Sequence, residues 1–525
     1  GRGNGNRIAI LVNTSTSNVD VTYVYTVSAN GCTNSSTFNV VCTVYPAPTL
    51  SSTLTPAAVC SGSPFSYTPA CSIPGATFTW SRGITTGISN GVANGTGIVS
   101  ETLTSITTSP VNVTYVYTTT ANGCSNPQNV TAVINPNPTL NSSLSPTTCS
   151  DAVFNYAPTS ETPGATFTWT RAVVAGISNA SGSGSGNPFE ILYNTTASPV
   201  NVTYVYTVTA NGCTNATTFS VVASVNSKPL LSSPLAPAAV CSNTSFTYTP
   251  TSSTGGATFN WARAVIPGIS NGAASGTGNV TETLINTTTA PVNVTYVYTT
   301  TANGCTNSQN VVATINPTPS LNSSTTPTVC SNVAFSYTPT SATTGATFTW
   351  TRAAVAGISN PSSSGTGDPI EILTNTSSAA VNVTYVYTVS ANGCSGASSY
   401  NVVVTVNPVP TLSSTLTPAA MCTGLTFSYT PTSSASGVTY SWTRAAVVGI
   451  SNAAASGTGN PNEVLTNTTS SPVNVTYVYS LAANGCTNTT TYSVVVNVTP
   501  VPTLSSSLSP PAICSGTIFN YTPTS

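Results

Sequence analysis

Val113, Tyr115 and Tyr117 alternate with Thr114, Val116 and Thr118, a period of two that predicts a strand with distinct faces. Asn122-Gly123 then supplies two residues that accept positive φ, and a second apolar run follows from Val130 to Ile134. The stretch therefore predicts a β-hairpin. The motif at 110–124 returns nearly verbatim at 199–213, 291–305 and 472–486. It recurs with one change at its start at 380–394, and in divergent form at 18–32. Shorter patterns precede each copy in a fixed order. Between 136 and 227, residues 139–144 predict a first strand, Cys149-Ser150 a turn, and residues 153–157 a short strand ending at Pro158. Residues 164–171 predict a strand with Phe167 and Trp169 on one face, residues 176–179 and the glycine-rich 181–186 a loop, and 189–193 another strand. No stretch reads as a helix of any length.

Self-similarity at a fixed period makes the chain an array. The Asn-Gly-Cys cysteines fall at 32, 124, 213, 305, 394 and 486, in steps of 92, 89, 92, 89 and 92. A unit of about 90 residues is large enough for one core, and seven or so short strands with turns between them predict an immunoglobulin-like antiparallel sandwich. The fold class is thus all-β, a tandem array. Residues 1–45 are expected to be the C-terminal part of a repeat, since Gly3-Asn4-Gly5 aligns with Gly365-Thr366-Gly367. Whole repeats are expected at 46–135, 136–227, 228–316, 317–407 and 408–499, and residues 500–525 open a further one. Pro-x-Pro marks the junctions, except at Ser227-Lys228-Pro229, and predicts short, stiff connections. From each Asn-Gly-Cys to the next leading cysteine the spacing is 28 or 25. From a repeat's leading cysteine to its Asn-Gly-Cys it is always 64. Both ends read as cuts through a longer polymer. Covalent continuation is the preferred account, with completion by strand donation between neighbouring molecules as the alternative.

Composition narrows the function. Only 3% of the 525 residues are charged, the net charge is −1 and there is no histidine. That excludes an electrostatic footprint for nucleic acid. No apolar run approaches the roughly 18 residues of a membrane span. Fourteen cysteines without a Cys-x-x-Cys pair or histidine leave no zinc spacing and point to an oxidising, extracellular setting. Near-zero net charge and outward valines such as Val116 predict self-association into filaments or fibres. Surface glycans are a second candidate partner.

Two constellations recur. Trp80, Trp169, Trp261, Trp350 and Trp442 sit where such a sandwich packs its large aromatic, so core packing is preferred to a sugar-stacking platform. One arginine follows each tryptophan by two residues and one glutamate comes 19 later: Arg82/Glu101, Arg171/Glu190, Arg263/Glu282, Arg352/Glu371 and Arg444/Glu463. Two opposite charges at fixed spacing in so uncharged a chain predict structural ion pairs, with a recognition arginine as the alternative. No second recurring acid exists for acid–base catalysis, and no histidine for a nucleophile–His pair. Asp151, Glu161 and Asp368 each occur in one repeat, so no calcium cluster recurs. No catalytic, cofactor or metal residue is assigned.

Cys-Ser-Gly before a short strand, Gly-Ala-Thr-Phe-Thr-Trp, Tyr-Val-Tyr-Thr-Val-x-Ala-Asn-Gly-Cys and Asn-Pro-x-Pro together resemble the polycystic-kidney-disease-like (PKD-like) repeats of giant secreted proteins of Bacteroidetes bacteria. Trp-x-Arg departs from that pattern, standing in place of an acidic, glycine-containing loop. The resemblance implies sandwiches strung as stalks of adhesins, gliding-associated filaments or extracellular enzymes. The function expected is a structural or adhesive extracellular stalk or filament at a bacterial cell surface, and not an enzyme. A carbohydrate-binding array or the spacer of a secreted enzyme is the alternative. Because the 64-residue spacing never varies, and because the resemblance implies single units that carry both cysteines, pairing within units is preferred: Cys60–Cys124, Cys149–Cys213, Cys241–Cys305, Cys330–Cys394 and Cys422–Cys486. Pairing across junctions, Cys32–Cys60, Cys124–Cys149 and onward, stays open. Cys42 and Cys71 occur once each, in adjacent units, and are expected to staple one junction.

Overall fold

A computed structural model describes residues 8–525; the Gly3–Gly5 alignment lies outside the described residues. The chain forms two compact units. One comprises Gly1–Ser233, Pro250–Asn260 and Tyr298–Gln309, the other Pro234–Thr249, Trp261–Val297 and Asn310–Ser525. The elements among the described residues are all strands.

In the first unit, the repeat at 136–227 shows the plan. Its strands are β1 (Thr147–Cys149), β2 (Val153–Phe154), β3 (Thr166–Arg171), β4 (Gly182–Ser185), β5 (Glu190–Ile191), β6 (Val200–Ala210), β7 (Cys213–Thr214) and β8 (Phe219–Asn226). The larger sheet runs β1-β8-β6-β3-β4, with β7 also on β6, and the smaller pairs β2 with β5. All pairs are antiparallel except β1 on β8. The hairpin of β6 with β7 and β8 turns at Asn211 (φ 50°) and Gly212 (φ 77°), the positive φ at both central residues that a tight hairpin of this hand needs. Inward residues of β6 (Val202, Tyr204, Tyr206, Val208) and β8 (Val221, Ala223, Val225) are fully buried, and Phe154, Tyr156 and Leu192 close over them. Each large side chain buried this way is worth about 1.5–3 kcal/mol. Phe154 stacks on Tyr204 at 5.2 Å, and Trp169 meets the same ring edge-on at 5.3 Å. The neighbouring repeat has the same larger sheet, from Val59–Cys60 through Cys124–Asn135, Val111–Ala121 and Thr77–Arg82 to Ala93–Thr96.

In the second unit, the repeats at 317–407 and 408–499 repeat this topology strand for strand. The cores are homologous: Phe335, Trp350, Tyr385 and Tyr387 in one, Phe427, Trp442, Tyr477 and Tyr479 in the other.

Two expected elements differ. Residues 139–144 form no strand; the first strand of the repeat is Thr147–Cys149. The glycine-rich stretch expected as a loop is the edge strand β4, registered on β3 with Gly184 opposite Trp169. A Cβ on Gly184 would stand 2.9 Å from Trp169 Cζ2, so the glycine is what lets the indole lie against the strand.

The alternation of spacing also has a structural form. In the shorter type, Cys124–Asn135 pairs without a break from Cys124 opposite Ala121 to Ile134 opposite Val111. In the longer type, residues 215–218 bulge out between β7 and β8. Asn215 Nδ2 donates across to Pro138 O at 2.8 Å, as Asn126 Nδ2 does to Pro48 O at 3.0 Å in the shorter type. Both types thus tie the hairpin to the junction proline.

Candidate functional site

The recurrent construction with most chemistry in it is the junction between repeats. A leading cysteine lies at the end of the first strand, in parallel pairing beside an asparagine that ends the last strand. The pairs are Cys60 with Asn135, Cys149 with Asn226, Cys241 with Asn316 and Cys330 with Asn407. Both reach the Asn-Gly-Cys turn of the following repeat. The asparagine amide donates to a turn carbonyl: Asn135 to Asn211 O at 2.9 Å, Asn226 to Asn303 O at 2.8 Å, Asn316 to Asn392 O at 2.9 Å and Asn407 to Asn484 O at 3.3 Å. The cysteine bonds the turn cysteine. Disulfides join Cys60–Cys213, Cys149–Cys305, Cys241–Cys394 and Cys330–Cys486, with Cα atoms 5.5–5.7 Å apart. The first two lie in the first compact unit and the last two in the second. The bonded turn cysteines are 1–2% exposed.

This corrects the expected within-unit pairing, and the junction alternative with it. Cys149 sits at the end of β1 beside Asn226, whereas Cys213 opens β7 at the hairpin turn. The two mark opposite ends of one strand ladder, a β6 length of 11 residues or about 35 Å. A disulfide tolerates no more than about 7 Å between Cα atoms. Cys124 and Cys422, expected to bond Cys60 and Cys486, are unbonded, as are Cys32 and Cys514. Cys42 and Cys71 form no staple either. Cys42 sits in the ladder opposite Val21, while the Cys71 sulfur accepts from Ile73 N at 3.5 Å. Cys71 thereby occupies the local turn role of Ser160, whose hydroxyl accepts from Thr162 N.

The second recurrent cluster lies within each repeat. Arg171 Nε and Nη2 donate to the two oxygens of Glu190 at 2.9 and 2.8 Å, and Nη2 also donates to Ala180 O at 2.7 Å. The Tyr204 hydroxyl donates to Glu190 Oε2 at 2.6 Å. The same bidentate pair joins Arg82 to Glu101, Arg263 to Glu282, Arg352 to Glu371 and Arg444 to Glu463. Every one of these guanidinium groups is buried, at 2–3% exposure, which leaves none free for external recognition. Burial pushes the Glu190 carboxyl up, but the hydrogen bonds from Arg171 and Tyr204 outweigh it and hold the group below the usual carboxylate range. Burial, then the bond to Glu190, pushes the Tyr204 phenol far up. Trp80, Trp169, Trp350 and Trp442 are buried and Trp261 is half-buried, each against the tyrosine of its cluster where the rings meet.

Two features went unread in the sequence. The asparagine before four of the junctions (Asn135, Asn226, Asn316 and Asn407) is visible as a recurring residue, but nothing in the sequence shows its amide reaching the turn of the following repeat. Lys228, at the one junction without Pro-x-Pro, pairs with Asp151 at 2.7 Å, a contact that only the fold brings together. Among the described residues no group of three or more potential metal ligands occurs, and no helix is long and apolar enough to cross a membrane.

Comparison with known proteins places this architecture. A family model described as "PKD-like domain" matches residues 146–229, 238–319, 327–410 and 419–502. No curated protein matches the chain. Among solved structures, immunoglobulin domains 1–5 of Sidekick-1 align at 13% identity, covering 86% of this chain and 99% of that one, with a TM-score of 0.23. Titin domains I67–I69 align at 10% identity over 52% and 99% of the two chains, TM-score 0.26. Drosophila N-cadherin EC1–4 aligns at 11% identity over 68% and 100%, TM-score 0.22. The four domain matches cover well over half of the sequence, and the chain belongs to the PKD-like domain family.

Proposed function

We propose that this chain is a load-bearing segment of an extracellular stalk or filament on or outside a bacterial cell, and that it does no catalysis. The observation that carries the reading is the covalent staple from each repeat to the next, made four times in one register. Disulfides at such density belong to an oxidising compartment. Their placement between repeats, and not inside cores, spends them on fixing how successive sandwiches join. The recurrent aromatics of the whole repeats are buried or half-buried, whereas exposed Phe189 and Tyr193 are not repeated among the described residues, so no regular glycan-stacking platform is favoured. The partners proposed are further copies of the same chain, packed through the uncharged threonine and valine faces of the larger sheets.

Imaging native material and alkylating its thiols before lysis tests this. Fibres or stalks outside the cell, with Cys60, Cys213, Cys149 and Cys305 protected from alkylation, are expected. Signal confined to the cell interior, with those four thiols free, would overturn the reading.

A further inference from the structure

The four staples overlap along the sequence. The loop closed by Cys60–Cys213 ends after that of Cys149–Cys305 has begun, and the same holds for Cys241–Cys394 and Cys330–Cys486. The overlaps are 149–213, 241–305 and 330–394, the constant 64-residue segments of the repeats. Every peptide bond from Cys60 to Cys486 therefore lies inside at least one closed ring. We propose that the chain is a damage-tolerant tether: no single backbone cleavage between Cys60 and Cys486 parts it. A protease cut in a surface loop hydrolyses one peptide bond and leaves both fragments joined through sulfur. The inference goes beyond the stalk reading, because it follows from connectivity alone and holds wherever the protein resides.

The chain is also built to present few cuts to a basic-specific protease. Five of its eight basic residues are the buried, doubly bonded arginines, and Lys228 precedes Pro229. Arg2 and Arg7 are the remaining two, ahead of the first ring. One arginine placed in an exposed loop thus creates one internal trypsin site. Ile84 is 81% exposed and Val448 97%, and Ala216 is exposed in the bulge between β7 and β8. Ile84 lies only in the Cys60–Cys213 ring, Ala216 only in Cys149–Cys305 and Val448 only in Cys330–Cys486.

The test uses Ile84→Arg, Ala216→Arg and Val448→Arg in the full chain, made under oxidising conditions, nicked with trypsin, alkylated and denatured. Each nicked variant should migrate as one species without reductant and as two fragments with it. Adding Cys305→Ser should part the Ala216→Arg chain without reductant and leave the Ile84→Arg and Val448→Arg chains whole. A chain that fails to fold reveals itself by cuts at the native arginines, and the other two positions still carry the test. Separation of the Ala216→Arg fragments with every cysteine present would overturn the proposal, since rings confined to single repeats leave residue 216 outside any ring. Retention of the joint after Cys305→Ser would overturn it too.

Discussion

Overlapping rings make a quantitative prediction about force. If the chain is pulled from its two ends until every repeat unfolds, the taut length between Cys60 and Cys486 is set by the shortest covalent route. That route crosses to Cys213, runs back to Cys149, crosses to Cys305, runs on to Cys330 and crosses to Cys486. It contains backbone stretches of about 64 and 25 residues, roughly 31 nm at about 3.5 Å per residue. Full reduction releases the whole interval, so the contour should lengthen by about 120 nm. Removing Cys305 diverts the route through Cys241–Cys394 and lengthens it by only about 3 residues, or ~1 nm. Removing Cys213 alone adds about 25 residues, or ~9 nm. Removing both leaves plain backbone from Cys60 to Cys241 before the route can cross to Cys394 and adds about 156 residues, ~55 nm. The loss is grossly non-additive, the mark of a redundant network. Single-molecule stretching with the freed partner thiols alkylated measures all four lengths. Rings confined to single repeats would instead add about 64 residues, ~22 nm, per cysteine and strictly double for two. Equal, additive increments would refute the reasoning.

Two further predictions concern the repeat interior. Glu190→Gln, which leaves Arg171 buried without its counter-charge, should destabilise its repeat by about 3–5 kcal/mol, whereas Arg171→Met with Glu190→Leu and Tyr204→Phe, which removes the hydroxyl that bonds Glu190, should be near neutral; denaturant unfolding of the reduced chain measures both. The carboxyls of these clusters are held low and their phenols high. Their stabilisation should therefore be complete between the unfolded carboxyl and tyrosine values, about 4.3 and 10. It should fade in acid as pH falls through the folded carboxyl value, and in alkali as pH rises above about 10; thermal melts against pH check this. Gly184→Ala should cost about 1–3 kcal/mol through overpacking on Trp169, while Gly255→Ala, with nothing within 4 Å of the added carbon, should be neutral.

Much of this molecule could be read locally. The hairpin, the Asn-Gly turn and the tryptophan strand are written in short-range alternation, and Arg171 and Glu190 could be paired because the chain offers them almost no other charge. The edge strand at Gly182–Ser185 was hidden for a local reason as well. Its glycines and serines carry turn propensity, and only the indole packed on Gly184 makes a strand of them. The parallel pairing of Thr147–Cys149 with Ser224–Asn226 joins segments about 77 residues apart, and no periodicity encodes such a contact.

That parallel contact is what decides the disulfides. In a periodic chain every systematic pairing gives regular spacing, 64 within a repeat, 25 or 28 across a junction and 153 or 156 for the bonds observed, so the regularity of the 64-residue interval did not single out a connectivity. Geometry carried it. The turn cysteine must lie at the hairpin end of a ladder 11 residues long, and the leading cysteine could bond it only by lying at that same end. Once β1 is seen beside the far end of β8, the partner has to come from another repeat. The asparagine next to each bonded leading cysteine then gains a reason: it must satisfy the turn carbonyl that a positive-φ hairpin turns toward its neighbour. The turn motif thus serves two repeats at once, closing its own hairpin and receiving the one before.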